Sequence, residues 1–240
     1  MKAPKLFKPS PKTLLLQWDS VISEEIQQAI RHTEALLRHH FSNEILEITP
    51  TYTELAVYCK KDITISAFEK KFVEVFQKKS KNEHTTSSRL VTIPVCYDAF
   101  FGLDLAEVAL YHKLTSEEII ELHTQSLYTV SFIGFLPGFP YLTGLSEKLY
   151  TPRKQTPRQH IPKGSVGIGG KQTGVYPSNS PGGWNIIGRS SLPFFSVEKE
   201  RPSLLLAGDC LQFQSISKDE FNLISLEIAS GVYQLKTQAL

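Results

Sequence analysis

The sequence predicts two folded units: a small α+β unit of ferredoxin-like arrangement over residues 1–89, and a mainly β unit over residues 90–240. At 240 residues the chain exceeds the usual size of one domain. In the first half, segments with helical spacing of apolar residues alternate with strand candidates. In the second half, short strand candidates are separated by glycine and proline, which is typical of a barrel or a closed sandwich.

The first unit begins with a predicted strand at residues 13–18, TLLLQW, followed by a helix. Ser23 is a suitable N-cap for this helix, and Glu24 and Glu25 lie in its first turn, where the helix dipole favours acids. Apolar residues then recur at helical spacing and predict one buried stripe. This stripe consists of Ile26, Ala29, Ile30, Leu36 and Leu37.

Two strands and a second helix follow. Residues 45–48 and 55–59 are predicted strands, and the second of them alternates apolar residues on one face. Ser66 and Glu69 predict a capping box at the start of the second helix. The apolar face of that helix is formed by Phe68, Phe72, Val75 and Phe76.

A polar segment and one more strand complete this pattern. Residues 80–88 are predicted to be a loop, and residues 90–95, LVTIPV, a strand. The resulting order βαββαβ favours a small antiparallel sheet with two helices on one face, which is a ferredoxin-like arrangement.

The second unit contains two capped helices among short strands. Thr115 and Glu118 predict a capping box for a helix that ends near His123, and Ser217 and Glu220 predict one for a helix that ends near residue 229. The strand candidates of this unit cover residues 128–134, 166–168, 185–187, 204–207, 211–216 and 232–236.

Composition argues against several classes of protein. Lys+Arg 26 and Asp+Glu 24 leave a net charge of +2 without a long basic block, so we expect no nucleic-acid partner. No run near 18 apolar residues occurs, and the N-terminus lacks an apolar signal segment, so we expect no membrane association and no secretion. Three widely spaced cysteines without a CxxC pair indicate reduced thiols and a cytoplasmic location.

The glycine-rich segment 164–174, GSVGIGGKQTG, raises the question of a nucleotide site. A Walker loop needs a glycine five residues before its Gly-Lys pair and a serine or threonine after the lysine. Ser165 and Gln172 occupy those two positions, and neither a following helix nor a βαβ unit is predicted. We therefore expect these glycines to permit tight turns or close backbone packing.

The dispersed histidines predict no metal site.

Two further segments combine a backbone that bends easily with aromatic side chains. They are GFLPGFPYLTGL at 134–145 and YPSNSPGGWNIIGR at 176–189. Between them, the segment 152–164, PRKQTPRQHIPKG, carries cations among three prolines, which predicts an extended, stiff backbone suited to anion recognition. Its alternative is a surface segment with solvated cations. We expect the three segments to form one concave ligand site, the alternative being that the aromatic rings pack against the barrel's own core.

The residues 104–145, 152–190 and 204–213 together resemble the family of the B subunit of bacterial ATP-dependent 5-oxoprolinase. The same family includes the kinase A inhibitor protein of sporulating bacteria and the allophanate hydrolase subunit 1 domain of urea carboxylases. The resemblance implies a cyclophilin-like β-barrel for the second half of the chain. Because fold does not fix function, it implies no prolyl isomerase activity.

The resemblance also implies a multi-subunit enzyme, an ATP-dependent cyclic-amide hydrolase. Together with subunits A and C, the chain would open the lactam of 5-oxo-L-proline to L-glutamate, and it would be inactive alone. ATP is expected on a partner subunit or at an interface. Two alternatives stay open: a regulatory protein that blocks autophosphorylation of a histidine kinase, and a subunit in urea or allophanate metabolism.

Candidate roles follow for individual residues. His123 is a candidate proton shuttle, and Arg153 and Arg158 are candidate cations for a phosphate; their alternatives are a helix-capping histidine and arginines that pair at a subunit interface. The Gly182 and Gly183 amides are candidate donors to an oxyanion. The full set of ligand-binding candidates is Phe139, Tyr141, Lys163, Gln172, Tyr176, Ser180, Gly182, Gly183, Trp184 and Arg189.

Overall fold

The computed structural model of the chain describes residues 2–79 and 89–239. The loop predicted at 80–88 lies outside the described residues. Contacts between Cα atoms divide the chain into two compact units, Met1–Thr86 and Ser87–Leu240. Within the described residues, no helix combines the length and the apolar character that a membrane span requires.

The first unit packs two helices on one face of an antiparallel sheet. The helix α1 follows its predicted N-cap, because the Ser23 hydroxyl oxygen accepts from the Ile26 N–H at 3.3 Å. The helix α2 already includes Ser66, so the capping box predicted there is wrong. The elements are β1 Lys5–Ser10, β2 Thr13–Gln17, α1 Glu24–His40, β3 Ile45–Pro50, β4 Glu54–Cys59 and α2 Ile65–Lys79.

The sheet of this unit has the order β1-β2-β4-β3. The edge strand β1 was not predicted, since KLFKPS carries the lysines and the proline that are common on sheet edges and obscure a strand pattern. It is the fourth strand of this sheet, a role that the predicted order βαββαβ gives to residues 90–95. The layers are those predicted, but this edge strand comes from the N-terminus rather than from the segment after α2.

The second unit is built from ten strands and three α-helices among its described residues. Its strands are β5 Arg89–Cys96, β6 Tyr128–Ile133, β7 Pro140–Thr143, β8 Arg158–Ile161, β9 Ser165–Gly169, β10 Gln172–Val175, β11 Ser180–Gly182, β12 Asn185–Arg189, β13 Cys210–Ile216 and β14 Thr237–Ala239. Its helices are α3 Leu105–His112, α4 Ser116–Gln125, α5 Lys218–Ala229 and a 3₁₀ turn at Glu147–Leu149.

Seven of these strands form a closed barrel, which confirms the predicted fold class. Their order is β12-β9-β10-β7-β6-β13-β5, and the pairing of Arg189 with Cys96 joins the last strand to the first. The strand β14 adds to β5, and β8 and β11 form a separate two-stranded sheet. Residues of β5 are almost continuously buried, because the strand pairs within the barrel; this is why LVTIPV belongs here and not to the first unit.

Local signals for the helices of this unit were more reliable than those for its strands. Both capping boxes are present, at Thr115 and at Ser217. The strands predicted at 204–207 and 232–236 are wrong. Residues 204–207 are irregular, and the last strand lies further on, at Thr237–Ala239. Four-residue strands such as β7 and β10 are too short, and too rich in glycine or proline, to show a clear alternation.

Candidate functional site

The glycine-rich segment 164–174 forms the strands β9 and β10 of the barrel and supports an aromatic cluster on its outer face. Alternation along β10 directs Thr173 into the barrel and Gly174 outward. A Cβ atom on Gly169 would lie 2.4 Å from Cδ1 and Nε1 of Trp184. On Gly174 it would lie 3.1 Å from Cε1 of Phe139. The glycines therefore allow aromatic rings to lie directly on the strand backbone, which is the close backbone packing predicted for this segment.

This aromatic cluster contains Phe139, Tyr141, Tyr176 and Trp184, from both aromatic segments. The Phe139 ring centroid lies 4.9 Å from that of Tyr141 and 5.2 Å from that of Tyr176. It lies 5.4 Å from that of Trp184, at an interplanar angle of 80°, which is a favourable edge-to-face geometry. Burial raises the pKa of Tyr176 to about 12, although the Trp184 backbone N–H donates to its hydroxyl. The phenol is therefore neutral at physiological pH.

Arg153 provides the positive charge of this cluster. Its guanidinium carbon lies 5.8 Å from the ring centroid of Trp184, and its side chain is exposed. The neighbouring backbone is held on both sides: Asn185 Nδ2 donates to the Pro152 carbonyl at 2.8 Å, and the Lys154 N–H donates to the Gly183 carbonyl at 2.7 Å. The arginine is thus available to an anion on a backbone that does not need to reorganise.

Arg158, in contrast, is committed to an internal ion pair. Its two terminal nitrogens donate to the carboxylate of Asp104 at 2.7 and 2.6 Å. Lys154 Nζ lies 2.9 Å from the same carboxylate, and the Ile186 N–H donates to it at 2.7 Å. Burial alone would raise the pKa of Asp104, but these hydrogen bonds hold it below its ordinary value. Arg158 therefore stabilises the segment that carries Arg153, and we do not assign it to a ligand.

Lys163 and Arg189 lie at the other end of β12. Arg189 Nε donates to the Lys163 carbonyl at 2.7 Å, and the guanidinium carbon lies 5.8 Å from the Phe101 ring centroid. Arg189 is five positions after Trp184, which corresponds to roughly 16 Å along an extended strand. Burial lowers the pKa of Arg189. Arg189 thus lies over Phe101, whereas Lys163 precedes Gly164, whose N–H donates to the Tyr176 carbonyl at 2.7 Å.

Gln172 borders the aromatic cluster. It pairs with Gly169, on which the indole of Trp184 packs, and its Oε1 is buried without a hydrogen-bond partner among the described residues. The hydroxyl oxygen of Ser180 is likewise buried and without a partner there. Each atom therefore has hydrogen-bonding capacity that the described residues do not use.

Gly182 and Gly183 participate in the structure around Arg153. Gly182 pairs with Arg158 between β11 and β8, and a Cβ atom on it would lie 2.4 Å from the Tyr176 hydroxyl oxygen. Gly182 is thus required for close approach to the cluster. That the two amides bind an oxyanion stays a prediction.

His123, the candidate proton shuttle, lies inside the barrel. Its side chain is 0% exposed, and burial lowers its pKa to about 3. The Thr173 hydroxyl donates to the Gly167 carbonyl at 3.0 Å, so it accepts from His123 Nε2–H at 3.1 Å. His123 Nδ1 therefore accepts from the Tyr97 hydroxyl at 2.8 Å. A neutral histidine with both nitrogens engaged is part of the core, and we do not assign proton transfer to it.

Comparison with known proteins shows the family of this chain. The family model described as carboxyltransferase domain, subdomain C and D, matches residues 5–205. The 5-oxoprolinase B subunit of Bacillus subtilis (strain 168) is 37% identical over 220 residues, which cover 87% of this chain and 91% of that protein. The chain belongs to the 5-oxoprolinase B-subunit family.

Solved structures related to this member of the 5-oxoprolinase B-subunit family share its fold. TTHA0988 is 31% identical, with a TM-score of 0.75, over 86% of this chain and 40% of that one. The urea amidolyase of K. lactis matches over 99% of this chain and 16% of that one, with a TM-score of 0.81. At 16% identity the second likeness shows the fold alone. The chain thus spans less than half the length of either solved protein.

The structure of this family member offers no phosphate loop in its glycine-rich segment. Gly167, Gly169 and Gly174 lie in paired strands, and their α-carbons face Trp184, Ile186 and Phe139. The segment therefore does not fit ATP, whose phosphates need free backbone N–H groups. In the part of the chain that the structure describes, no group of three or more His, Cys, Asp or Glu could hold a metal ion.

Sequence inspection missed Asp104 and Asn185. Both are buried polar residues that hold the backbone on which Arg153 lies. Asp104 does so by pairing with Lys154 and Arg158, and Asn185 by donating to the Pro152 carbonyl. In sequence, Asp104 is an ordinary residue before a helix. Only the buried pairing with residues about fifty positions away identifies it.

Replacing Gly169 by alanine is expected to displace Trp184. The added methyl group would overlap the indole, so we expect a red-shifted emission of Trp184 and an unfolding free energy lower by at least about 1 kcal/mol. A Trp18→Phe background leaves Trp184 as the sole tryptophan. In that background, fluorescence during urea unfolding measures both the emission wavelength and the unfolding free energy. Gly183→Ala is the control, because its nearest contact would be an ordinary 3.5 Å. Equal spectra for the two variants would contradict this packing.

Proposed function

We propose that the chain is a subunit of an ATP-dependent 5-oxoprolinase complex, and that its aromatic cluster binds 5-oxo-L-proline. The observation that carries the proposal is the exposed guanidinium of Arg153 above the indole of Trp184 in a member of the 5-oxoprolinase B-subunit family. The two aromatic segments form this cluster, and the stiff cationic segment supplies Arg153 over its Trp184 ring.

The chemistry of the substrate matches these side chains. 5-Oxo-L-proline is a five-membered lactam with one carboxylate. A guanidinium pairs with a carboxylate through two parallel hydrogen bonds, and an aromatic face excludes water from a small ring. Gln172, whose Oε1 has no partner among the described residues, can accept from the lactam N–H.

Other parts of the reaction belong to partner subunits in this proposal. The glycine-rich segment does not fit ATP, and His123 is enclosed in the barrel, so we assign nucleotide binding and proton transfer to subunits A and C. This chain binds and orients the lactam, and it contributes the charge that neutralises the carboxylate. Activity therefore requires the assembled complex.

Reconstitution tests the proposal. The chain is co-expressed with candidate subunits A and C, and ATP-dependent release of glutamate or ammonia is measured with 5-oxoproline, urea and allophanate. Turnover of 5-oxoproline alone is the expected result. Urea and allophanate are included because the urea amidolyase of K. lactis shares the fold. Turnover of either of these in preference to 5-oxoproline would contradict the proposed substrate.

Replacing Arg153 by alanine is expected to weaken substrate binding in the reconstituted complex. Loss of a hydrogen-bonded charge pair raises the KM for 5-oxoproline on the order of tenfold, with a smaller change in kcat. Arg201→Ala is the control, because it removes an exposed arginine from the segment before β13. If the two variants showed the same KM, Arg153 would not bind the carboxylate.

A further inference from the structure

Phe135 stands at the tip of the loop between β6 and β7 in a strained turn. The Leu136 N–H donates to the Gly134 carbonyl at 2.8 Å, which closes a γ-turn centred on Phe135. The φ angle of Phe135 is 65°, in the left-handed region. A γ-turn with positive φ at its centre is rare, and a bulky residue there is unfavourable relative to glycine.

Packing of the Phe135 side chain does not offset this strain. The side chain is 61% exposed, and it makes an edge-to-face aromatic contact with Phe139 at 5.6 Å. The same loop has a second residue with positive φ, and that residue is a glycine, Gly138, with φ 81°. A glycine at 135 would therefore be better for stability, yet the chain carries a phenylalanine.

The position of Phe135 places its ring beside the aromatic cluster. Phe139, which it contacts, is the central ring of that cluster. A Cβ atom on the preceding Gly134 would lie 3.8 Å from Cε2 of Tyr141. Phe135 thus contacts the cluster through Phe139, and the residue before it lies beside Tyr141, whereas Arg153 lies over Trp184.

We propose that Phe135 is a specificity-determining residue that covers the apolar methylene edge of the lactam when the carboxylate is bound by Arg153. This inference rests on the proposed function. The γ-turn fixes the backbone from which the ring projects, so little further order is lost on binding. Strained residues that persist without a packing gain occur at ligand-binding sites, where the bound molecule supplies the missing contact.

Replacing Phe135 by glycine separates this role from a structural one. We expect the thermal midpoint, followed by Trp184 emission in the Trp18→Phe background, to rise by about 2 °C or more, because the turn is relieved. In the reconstituted complex we expect the KM for 5-oxoproline to rise about fivefold, with kcat nearly unchanged. Phe135→Tyr, which keeps the ring, is expected to retain the original KM.

Phe100→Gly provides the matched control, since Phe100 is 68% exposed and has no positive φ. This variant should leave the KM unchanged. A lower midpoint for Phe135→Gly would show that the ring stabilises the fold, and an unchanged KM would show that it does not contact substrate; either result overturns the inference. If the wild-type complex does not turn over 5-oxoproline, the proposed function itself fails, and this inference fails with it.

Discussion

Replacing Asp104 by alanine is expected to lower the unfolding free energy of the second unit by about 3 to 5 kcal/mol. The carboxylate is 1% exposed and accepts from Arg158, Lys154 and the Ile186 N–H. Its removal leaves Arg158 and the Ile186 N–H without this acceptor and leaves Lys154 paired with Glu107 alone. Because these donors hold the segment that carries Arg153, we also expect the KM for 5-oxoproline to rise.

Glu107→Ala is the matched control for this variant. Glu107 pairs with the same Lys154 at 2.8 Å, but its side chain is 67% exposed, and an exposed ion pair contributes little. Urea unfolding in the Trp18→Phe background measures both variants through Trp184. Similar unfolding free energies for Asp104→Ala and Glu107→Ala would show that the buried pair does not stabilise the unit.

Acid is expected to destabilise the second unit through His123. Burial lowers the pKa of this histidine from 6.5 to about 3, so between these values the unfolded state binds the proton and the folded state does not. The contribution of neutral His123 to the unfolding free energy is therefore complete above pH 6.5 and is lost as the pH falls toward 3. Between pH 8 and pH 5 we expect a loss of about 2 kcal/mol from this residue.

His123→Gln tests this linkage, because glutamine can donate and accept in place of the imidazole but does not titrate. We expect the slope of unfolding free energy against pH to flatten in this variant, although not to zero, since burial also lowers the pKa of His112. His112→Gln supplies the comparison. An unchanged slope in His123→Gln would mean that folding does not lower the pKa of His123.

Much of the candidate site could be predicted from residue type and local pattern. Glycine beside large aromatic residues indicated close packing, and Gly169 under Trp184 is that packing. The prolines around Arg153 indicated a stiff segment. Which arginine is exposed and which is paired could not be predicted. Arg153 and Arg158 have the same local pattern and differ only in whether Asp104 lies within hydrogen-bonding distance.

His123 shows the same limit for a buried residue. As a histidine in the last turn of a capped helix, it has the pattern of an accessible capping residue. Whether the last turn faces solvent or the barrel depends on how α4 packs against β13, which involves residues about ninety positions away. Helix periodicity cannot supply that orientation when the helix is only ten residues long.

By itself, the amino-acid sequence determined the elements whose signals are local: the capped helices, the strands with clear alternation, and the aromatic and cationic segments of the family motif. Tertiary structure alone decided that β1 completes the first sheet, that β5 belongs to the barrel, and that Arg153 is exposed while Arg158 is paired. The physical reason is that strand partners and buried charges are chosen by contacts between distant residues, whereas caps and turns are satisfied within a few residues.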